Sequence, residues 1–262
     1  MSRIKTSLNA KTADKYDLYQ RSVQSAEFEI DFFHRVFRSR RARTAHTMRE
    51  DFCGTALLTS AWVASNRNRY GVGVDLDPAV LAWGKEHNVN PLGTASERVK
   101  LLQQDVRAPS GQRFDIVNAM NFSYWIFKTR NEMRDYFKRV RRSLVADGIF
   151  FLDAYGGLDA PQEIRTSRRI RGGFTYVWEH ASFNPINHDM VCHIHFEFRD
   201  GSRLRKAFTY EWRFWSLPEI KELLLEAGFS DVIIHWENND KYRPTTQAEN
   251  QPAWIAFLAA LV

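Results

Sequence analysis

The feature that most constrains this sequence is a regular alternation of short apolar runs with segments of helical spacing. Five runs have the length and composition of buried strands, at residues 44–52, 70–74, 99–103, 114–120 and 148–154. Segments with helical spacing lie before and between them, at residues 26–37, 56–64 and 131–144. Strands that alternate with helices predict a parallel sheet, because each helix carries the chain back to the end where the previous strand began. We therefore expect an α/β fold.

The pattern changes after residue 157. Three long strand-like runs follow, and turn signals such as Asp200-Gly201 separate them: residues 174–183, 190–199 and 203–215. They predict a small antiparallel insert. Helical spacing at 218–227 and apolar runs at 232–236 and 254–261 then predict a return to the first sheet. We expect three segments: a cover and core over 1–157, the insert over 158–215, and a closing helix with the last two strands over 216–262.

Length and composition narrow the class of protein. The 262 residues suffice for one large domain with an elaboration. No stretch approaches the roughly 18 consecutive apolar residues of a membrane helix, and the polar first residues lack a signal-peptide core. Cys53 and Cys192 lie far apart and lack the spacing of a disulfide framework or a metal site. These features predict a cytoplasmic protein with no membrane association and no bound metal.

The formal charge of +6 and the isoelectric point near 9.4 would suit an anionic partner. Basic residues cluster at 35–43, 139–142 and 165–171. Such clusters beside helix ends are more often solvated faces than nucleic-acid sites. A nucleic-acid partner is therefore possible but less favoured.

Polar residues and a glycine mark the ends of the first three predicted strands. Ligands of parallel sheets bind at these ends, where the strand order reverses. Gly54 would let the backbone approach a ligand, and Asp75, about twenty residues later, could accept hydrogen bonds from both ribose hydroxyls. Asp105 could accept one from an adenine amino group, with Val106 as the apolar neighbour that covers the ring. The three ends together indicate an adenosine.

Taken with these strand ends, nearly the whole chain resembles the class I S-adenosylmethionine-dependent methyltransferase family, in its small-molecule type with a β-cap insert. The matching segments are residues 50–56, 73–77, 105–106, 114–117, 144–153 and 215–229. The resemblance implies a Rossmann-like, seven-stranded, mostly parallel sheet flanked by helices, with a small antiparallel β insert. It also implies S-adenosyl-L-methionine as the cofactor.

The resemblance places three residues of the first turn, Glu50, Cys53 and Gly54, against the methionine part of the cofactor. Phe52 and Ala56 stand where the family's turn has its outer glycines. We therefore expect a bulkier turn than the family usually has.

The remaining cofactor contacts follow from the same resemblance. It implies that Asp75 holds the ribose, that Leu76 covers one adenine face, and that Asp105 contacts the adenine amino group. It also implies that residues 118–122, among them Asn118, Asn121 and Phe122, line the transferable methyl group.

The leading segment is similar to the N-terminal cover of small-molecule members, in which a tyrosine or arginine meets the cofactor carboxylate. Tyr19 and Arg21 are the candidates here. A plain surface or helix-packing role is an equal alternative for both.

The insert carries the best indication of the acceptor, since it resembles the β cap of small-molecule N- and O-methyltransferases. Side chains alternate along residues 190–199, so Cys192 and Ile194 share one face and His193 and His195 the other. The two histidines are candidates for acid–base catalysis. A solvated polar face is the more common explanation of such a pattern.

Two other acceptor chemistries lack their motifs. DNA amino-methylases show an Asn/Asp-Pro-Pro-aromatic tetrad after the fourth strand, where this chain has Asn121-Phe122-Ser123-Tyr124, and neither cysteine follows a proline as in carbon-5 pyrimidine enzymes. The predicted function is methyl transfer to a nitrogen or oxygen of a small molecule. An RNA or protein methyltransferase and a noncatalytic nucleotide-binding protein remain alternatives.

Overall fold

The computed structural model describes residues 8–238 and 241–262. The helices run in chain order as α1 Lys15–Val23, α2 Ala26–Arg41, α3 Leu57–Ala64, α4 Pro78–Gly84, α5 Arg130–Ser143 and α6 Leu217–Glu226. A π-helical turn over Lys85–Val89 and 3₁₀ segments over Asn90–Arg98 and Ser123–Ile126 supplement them. None of the helices in these residues is long and apolar enough to span a membrane.

Twelve strands are present in the described residues. They are β1 Thr47–Asp51, β2 Tyr70–Asp75, β3 Val99–Gln103, β4 Phe114–Ala119, β5 Leu144–Gly156, β6 Arg165–Ile170, β7 Phe174–Phe183, β8 Asp189–Phe198, β9 Arg203–Arg213, β10 Asp231–Asn238, β11 Lys241–Pro244 and β12 Trp254–Leu261.

The larger sheet, within the described residues, has eight strands in the order β11-β10-β12-β5-β4-β1-β2-β3. Strands β1 to β5 pair in parallel, while β12 runs antiparallel to β5 and to β10. The α/β fold with a mostly parallel sheet is therefore confirmed. The sheet has one strand more than the expected seven because β11 extends β10 at the edge.

Helices α2 and α3 pack on one face of this sheet. The core between them contains Phe33, Trp62, Met48, Ile116 and Phe151. Each of these side chains is almost completely buried. At about 25 cal/mol per Å² of apolar surface, such burial is the main favourable term for the fold.

The second sheet, β6-β7-β8-β9, is antiparallel throughout. The antiparallel insert is thus confirmed, with β6 as an additional edge strand. Its apolar face packs on α1 through Leu18, and Phe174, Ile194 and Phe196 share this cluster.

The chain divides into two compact units. The insert unit comprises the described residues up to Gln24 together with Asp159–Phe214, and the core unit comprises Ser25–Leu158 and Trp215–Val262. Helix α1 therefore belongs with the insert sheet, whereas α2 belongs with the large sheet.

Candidate functional site

The strand order of the core unit reverses at β1. The chain proceeds from β1 to β2 and β3 on one side and then continues on the other side of β1 with β4 and β5. The carboxyl ends of β1, β2 and β4 flank this reversal, which is where parallel α/β sheets bind their ligands.

The turn that follows β1 has an unusual backbone. Phe52, Gly54 and Ala56 all adopt left-handed conformations, with φ of 58°, 52° and 53°. Only glycine adopts this region without a steric cost, which is about 1–2 kcal/mol for other residues. The two outer positions thus keep a glycine-like backbone although they carry side chains. A Cβ on Gly54 would have no heavy atom within 4 Å, so open space lies beside the middle of the turn.

Asp75 connects the ends of the first two strands. Its Oδ2 accepts a hydrogen bond from the Gly54 backbone N–H at 2.8 Å, and its Oδ1 accepts one from the Asp77 N–H at 3.0 Å. A carboxylate offers about four lone-pair sites, so further donors can still be accepted. Leu76 follows as an exposed apolar residue, 62% accessible, at the same strand end. This arrangement suits a ribose with a planar ring beside it.

Asp105, after β3, is held by a single arginine. Both of its oxygens receive hydrogen bonds from the Arg107 side chain, the shortest at 2.6 Å, and the Arg107 N–H donates to Oδ1 at 2.8 Å. These bonds to the guanidinium lower the pKa of Asp105. The carboxylate is therefore ionised and oriented. Val106 is buried beside it, and its carbonyl accepts a hydrogen bond from Arg49.

Glu50 and Cys53 are buried at the end of β1. Glu50 Oε2 accepts hydrogen bonds from the Thr59 hydroxyl and from the Thr59 N–H, the latter at 2.9 Å. Burial raises the pKa of Glu50 to about 7 in spite of these bonds. Burial also raises the pKa of the Cys53 thiol, which therefore stays protonated and unreactive near neutral pH.

The end of β4 carries the candidates for the methyl side of the site. Asn118 is fully buried; its amide donates to the Arg49 carbonyl at 3.3 Å, whereas its Oδ1 has no hydrogen-bond donor among the described residues. Asn121 and Phe122 have left-handed φ values of 58° and 59°. Their backbone N–H groups each donate to one oxygen of Asp153 at 3.0 Å. Asp153, at the end of β5, thus fixes this loop.

Three residues of this region escaped sequence reasoning, namely Glu29, Arg107 and Asp153. The sequence did contain a signal for Asp153, because a carboxylate near the end of the fifth apolar strand is as unusual as Asp75 at the end of the second. Glu29 lies next to aromatic residues in an amphipathic helix. An acidic residue on the apolar face of such a helix is a signal of a functional role. The sequence contained no signal for Arg107, since partly exposed arginines are common.

Tyr19 and Arg21 lie on α1, which belongs to the insert unit, whereas the other cofactor candidates belong to the core unit. Tyr19 packs against the Phe208 ring at 5.0 Å. Arg21 pairs with Asp17 at 3.0 Å and donates to the Arg171 carbonyl at 3.0 Å. Both side chains have packing partners inside their own unit.

His193 and His195 lie on the polar face of the insert sheet, with their rings 5.9 Å apart. The Lys206 backbone N–H donates to His195 Nδ1 at 3.0 Å, so a neutral His195 carries its proton on Nε2 and donates it to Glu179 at 2.8 Å. His193 Nδ1 contacts the Thr209 hydroxyl at 3.0 Å. Desolvation, with a smaller contribution from Lys206, lowers the pKa of His193, which is therefore neutral at pH 7.

The strand ends of the core unit fit an adenosine bearing a charged amino acid. Open space lies beside Gly54, Asp75 can accept further hydrogen bonds, and the buried Oδ1 of Asn118 has no donor among the described residues. Among the described residues, no group of three or more His, Cys, Asp or Glu side chains is placed to hold a metal ion.

Comparisons with known proteins agree with this geometry. A family model described as a methyltransferase domain matches residues 53–150, which include residues 53–56 of the turn after β1 and the ends of β2, β3 and β4. No curated protein matches the chain by sequence.

Several solved structures share the fold over nearly the whole chain. An S-adenosylmethionine-dependent methyltransferase from Clostridium acetobutylicum is 18% identical with a TM-score of 0.72, covering 94% of this chain and 97% of its own. An amino pentose methyltransferase from Micromonospora echinaspora, solved with S-adenosylmethionine bound, is 15% identical with a TM-score of 0.69, covering 95% and 97%. A sugar N-methyltransferase from a Streptoalloteichus species is 17% identical with a TM-score of 0.66, covering 100% and 96%.

The chain therefore contains a methyltransferase domain over residues 53–150, on a fold that it shares with these enzymes.

Proposed function

We propose that this enzyme transfers the methyl group of S-adenosylmethionine to a nitrogen or oxygen of a small-molecule acceptor. The observation that carries the proposal is the insert unit, an antiparallel sheet between β5 and α6. Enzymes described as an amino pentose methyltransferase and a sugar N-methyltransferase share the fold over 95% and 100% of this chain. An acceptor of similar size follows by analogy with them.

The cofactor residues proposed here are those of the core unit. Asp75 binds the ribose hydroxyls, Leu76 covers the adenine, and Asp105 accepts from the adenine amino group, next to Val106. The turn with Glu50, Cys53 and Gly54 binds the methionine part.

Two further groups complete the proposed cofactor site. Asn118, Asn121 and Phe122 line the place of the methyl group. Tyr19 and Arg21 of the insert unit are proposed to meet the cofactor carboxylate.

The chain's own residues contribute mainly orientation. S-adenosylmethionine supplies an electrophilic methyl group on a sulfonium when it is bound. Asp153 fixes the backbone of Asn121 and Phe122 by two hydrogen bonds, which keeps the wall of the methyl site rigid. Holding reactants in line and away from water can contribute several kcal/mol to the reduction of the barrier.

His193 and His195 are the proposed acid–base pair. The Nε2 of a neutral His193 can accept a proton if Nδ1 donates to the Thr209 hydroxyl. Both nitrogens of His195 are already engaged, with Lys206 and Glu179, so His195 is better suited to a positioning role. His193 is thus the proposed proton acceptor for an acceptor amine or hydroxyl.

Titration calorimetry with S-adenosylmethionine and its demethylated product tests the cofactor part of this proposal. The Asp75→Ala change should weaken binding about 10- to 100-fold, because it removes a charged hydrogen-bond acceptor worth about 1.5–3 kcal/mol. Asp77→Asn is the matched control: Asp77 caps α4 by accepting from the Ala79 N–H at 2.8 Å, and asparagine caps equally well. Equal affinity of wild type and Asp75→Ala would remove Asp75 from the site.

A further inference from the structure

Three carboxylic side chains and one amide lie on a single face of the large sheet. Phe33 of α2 stacks on Phe151 of β5, with ring centroids 4.6 Å apart. Glu29 precedes Phe33 by one helical turn, and Asp153 follows Phe151 by two residues on the same strand face. Arg41, the last residue of α2, donates to the carbonyl of Gly148 in the first half of β5, so α2 runs antiparallel to β5 and both steps lead toward the carboxyl end of the sheet. Glu29 therefore lies over Asp153.

The same reasoning places two residues of the neighbouring strands beside this pair. Met48 and Ile116 belong to the apolar cluster that contains Phe33 and Phe151. Glu50 and Asn118 follow them by two residues and so share their face. Glu50 and Asn118 are also direct partners in the register of β1 and β4. We call Glu29, Glu50 and Asp153, with Asn118 between them, the carboxylate cluster.

The carboxylate cluster is buried and has no cation. Glu29, Glu50 and Asp153 are 6%, 5% and 5% exposed, and among the described residues none of them forms an ion pair. Burial, with smaller contributions from Asp153 and Glu50, raises the pKa of Glu29 to about 8. Burial raises the pKa of Asp153 and of Glu50 to about 7. An uncompensated group of buried carboxylates is costly, so the cluster holds protons instead.

The other titratable groups around the cluster do not supply a positive charge. Asp75 and Asp51 are acidic and raise the pKa of Glu50 further. Arg49, on the opposite face of β1, is paired with Asp51 at 2.6 Å. Tyr242 of β11 faces Asp153, and His235 of β10, whose pKa burial lowers to about 4, is neutral.

One acceptor on this face of the sheet lacks a donor among the described residues. Asn118 is fully buried, shares this face, and leaves Oδ1 without a hydrogen bond in the described part of the chain. A buried acceptor without a donor costs about 1–3 kcal/mol. The missing partner is thus a cation that also donates hydrogen bonds. An ammonium group supplies both properties, since it carries a positive charge and three N–H donors.

We propose that Glu29, with Glu50 and Asp153, binds the ammonium group of the cofactor, so that the helix before the sheet contributes a cofactor-binding residue. The proposal rests on the proposed cofactor site, because it assumes that the methionine part lies at the end of β1. Binding of the ammonium favours the ionised carboxylates and therefore expels the protons that the cluster holds. Cofactor binding and proton release are coupled through Glu29.

Calorimetry of the full chain at pH 7 with two adenosine ligands tests this proposal. S-adenosylhomocysteine carries the ammonium group, whereas methylthioadenosine lacks the whole amino-acid part. The Glu29→Gln change should weaken S-adenosylhomocysteine about 5- to 30-fold and methylthioadenosine less than about 2-fold. Glutamine resembles the protonated side chain already present, so the variant should fold. Exposed Glu27, on the same helix, gives the control Glu27→Gln.

Proton release is the second readout. Titrations in buffers of different ionisation enthalpy should show that wild type releases protons on binding S-adenosylhomocysteine and that Glu29→Gln releases fewer. Equal loss of affinity for both ligands, or unchanged affinity and proton release, would overturn the role of Glu29. A wild-type protein that binds neither ligand would instead overturn the proposed cofactor site itself.

Discussion

Burial, rather than residue type, distinguishes the carboxylates at the strand ends. Asp105 is partly exposed, and Arg107 lowers its pKa, so it is a permanent anion. Glu50 and Asp153 are buried without a cation, and burial raises the pKa of each to about 7. The first kind of carboxylate suits the recognition of a neutral amino group. The second kind suits a cation, because a bound cation favours the ionised form of the carboxylate.

The two buried histidines differ in their hydrogen bonds, which leads to a prediction about catalysis. His193→Ala should lower turnover by about 10²- to 10⁴-fold with little change in cofactor affinity, since a proton acceptor acts on the chemical step. His195→Ala should have a smaller effect because both nitrogens of His195 are occupied. Steady-state kinetics with saturating cofactor measures both, with exposed His46→Ala as the control.

The pH profile provides an additional check on His193. Its pKa lies below the ordinary value of 6.5, so the neutral form persists at pH 7 and is lost only as the pH falls further. Turnover should therefore be level above pH 7 and decline under more acidic conditions. Turnover of His193→Ala within a few-fold of wild type would leave both histidines as buried structural residues of the insert sheet, without catalytic function.

At the scale of elements, the approach of α4 to the turn after β1 depends on one glycine. A Cβ on Gly84 would lie 2.2 Å from the carbonyl oxygen of Thr55, which also accepts a hydrogen bond from Asn88 at 2.8 Å. Gly84→Ala must push α4 away from the turn, because backbone cannot yield as a flexible side chain can. We expect a loss of about 1–3 kcal/mol in the free energy of unfolding, together with weaker cofactor binding.

Urea denaturation and cofactor calorimetry measure the two effects of Gly84→Ala. Ala82→Ser, on the exposed side of the same helix, should change the free energy of unfolding by no more than about 0.5 kcal/mol. An unchanged affinity in a destabilised Gly84→Ala variant would mean that the position of the turn does not govern cofactor binding.

The elements that sequence reasoning found and missed differ in their contact with the core. The central parallel strand β4 was predictable because it is buried on both faces, with six buried residues in succession. The edge strand β6, Arg165–Ile170, was not predicted, since its residues are exposed apart from the half-buried Ile170 and show no alternation. β11 has only four residues and ends in Pro244.

Sequence reasoning had a similar limit in the turn after β1. Phe52 and Ala56 predicted a bulkier turn, but a sequence does not reveal that the backbone keeps left-handed values at both positions. Tertiary contacts decide this: the Phe52 ring packs at 5.9 Å from that of Tyr136, and Ala56 is fully buried. The free-energy cost of a left-handed backbone at these two positions is offset by tertiary packing, which a local sequence pattern does not indicate.

At the scale of the whole molecule, arginines of the basic clusters form ion pairs and hydrogen bonds within the protein. Arg43 contacts Asp147 at 2.7 Å and Asp115 at 2.8 Å, Arg139 donates to a backbone carbonyl at 3.0 Å, and Arg165 pairs with Glu197 at 2.9 Å. Each of the three basic clusters thus contributes at least one arginine to internal contacts. This weakens the case for an RNA or protein acceptor without removing the overall charge of +6.

The acceptor class can be decided by its dependence on salt. Labelled S-adenosylmethionine should transfer its methyl group to the small-molecule fraction of a cell extract and not to RNA or protein fractions. Turnover of the small acceptor should change less than about 3-fold between 50 and 200 mM salt. An RNA bound through six to ten phosphate contacts would lose about 10³- to 10⁵-fold in affinity over that range, because counterion release drives such binding. Label in a polymer fraction, lost on raising the salt, would replace the small-molecule proposal with an RNA acceptor that uses the remaining exposed arginines.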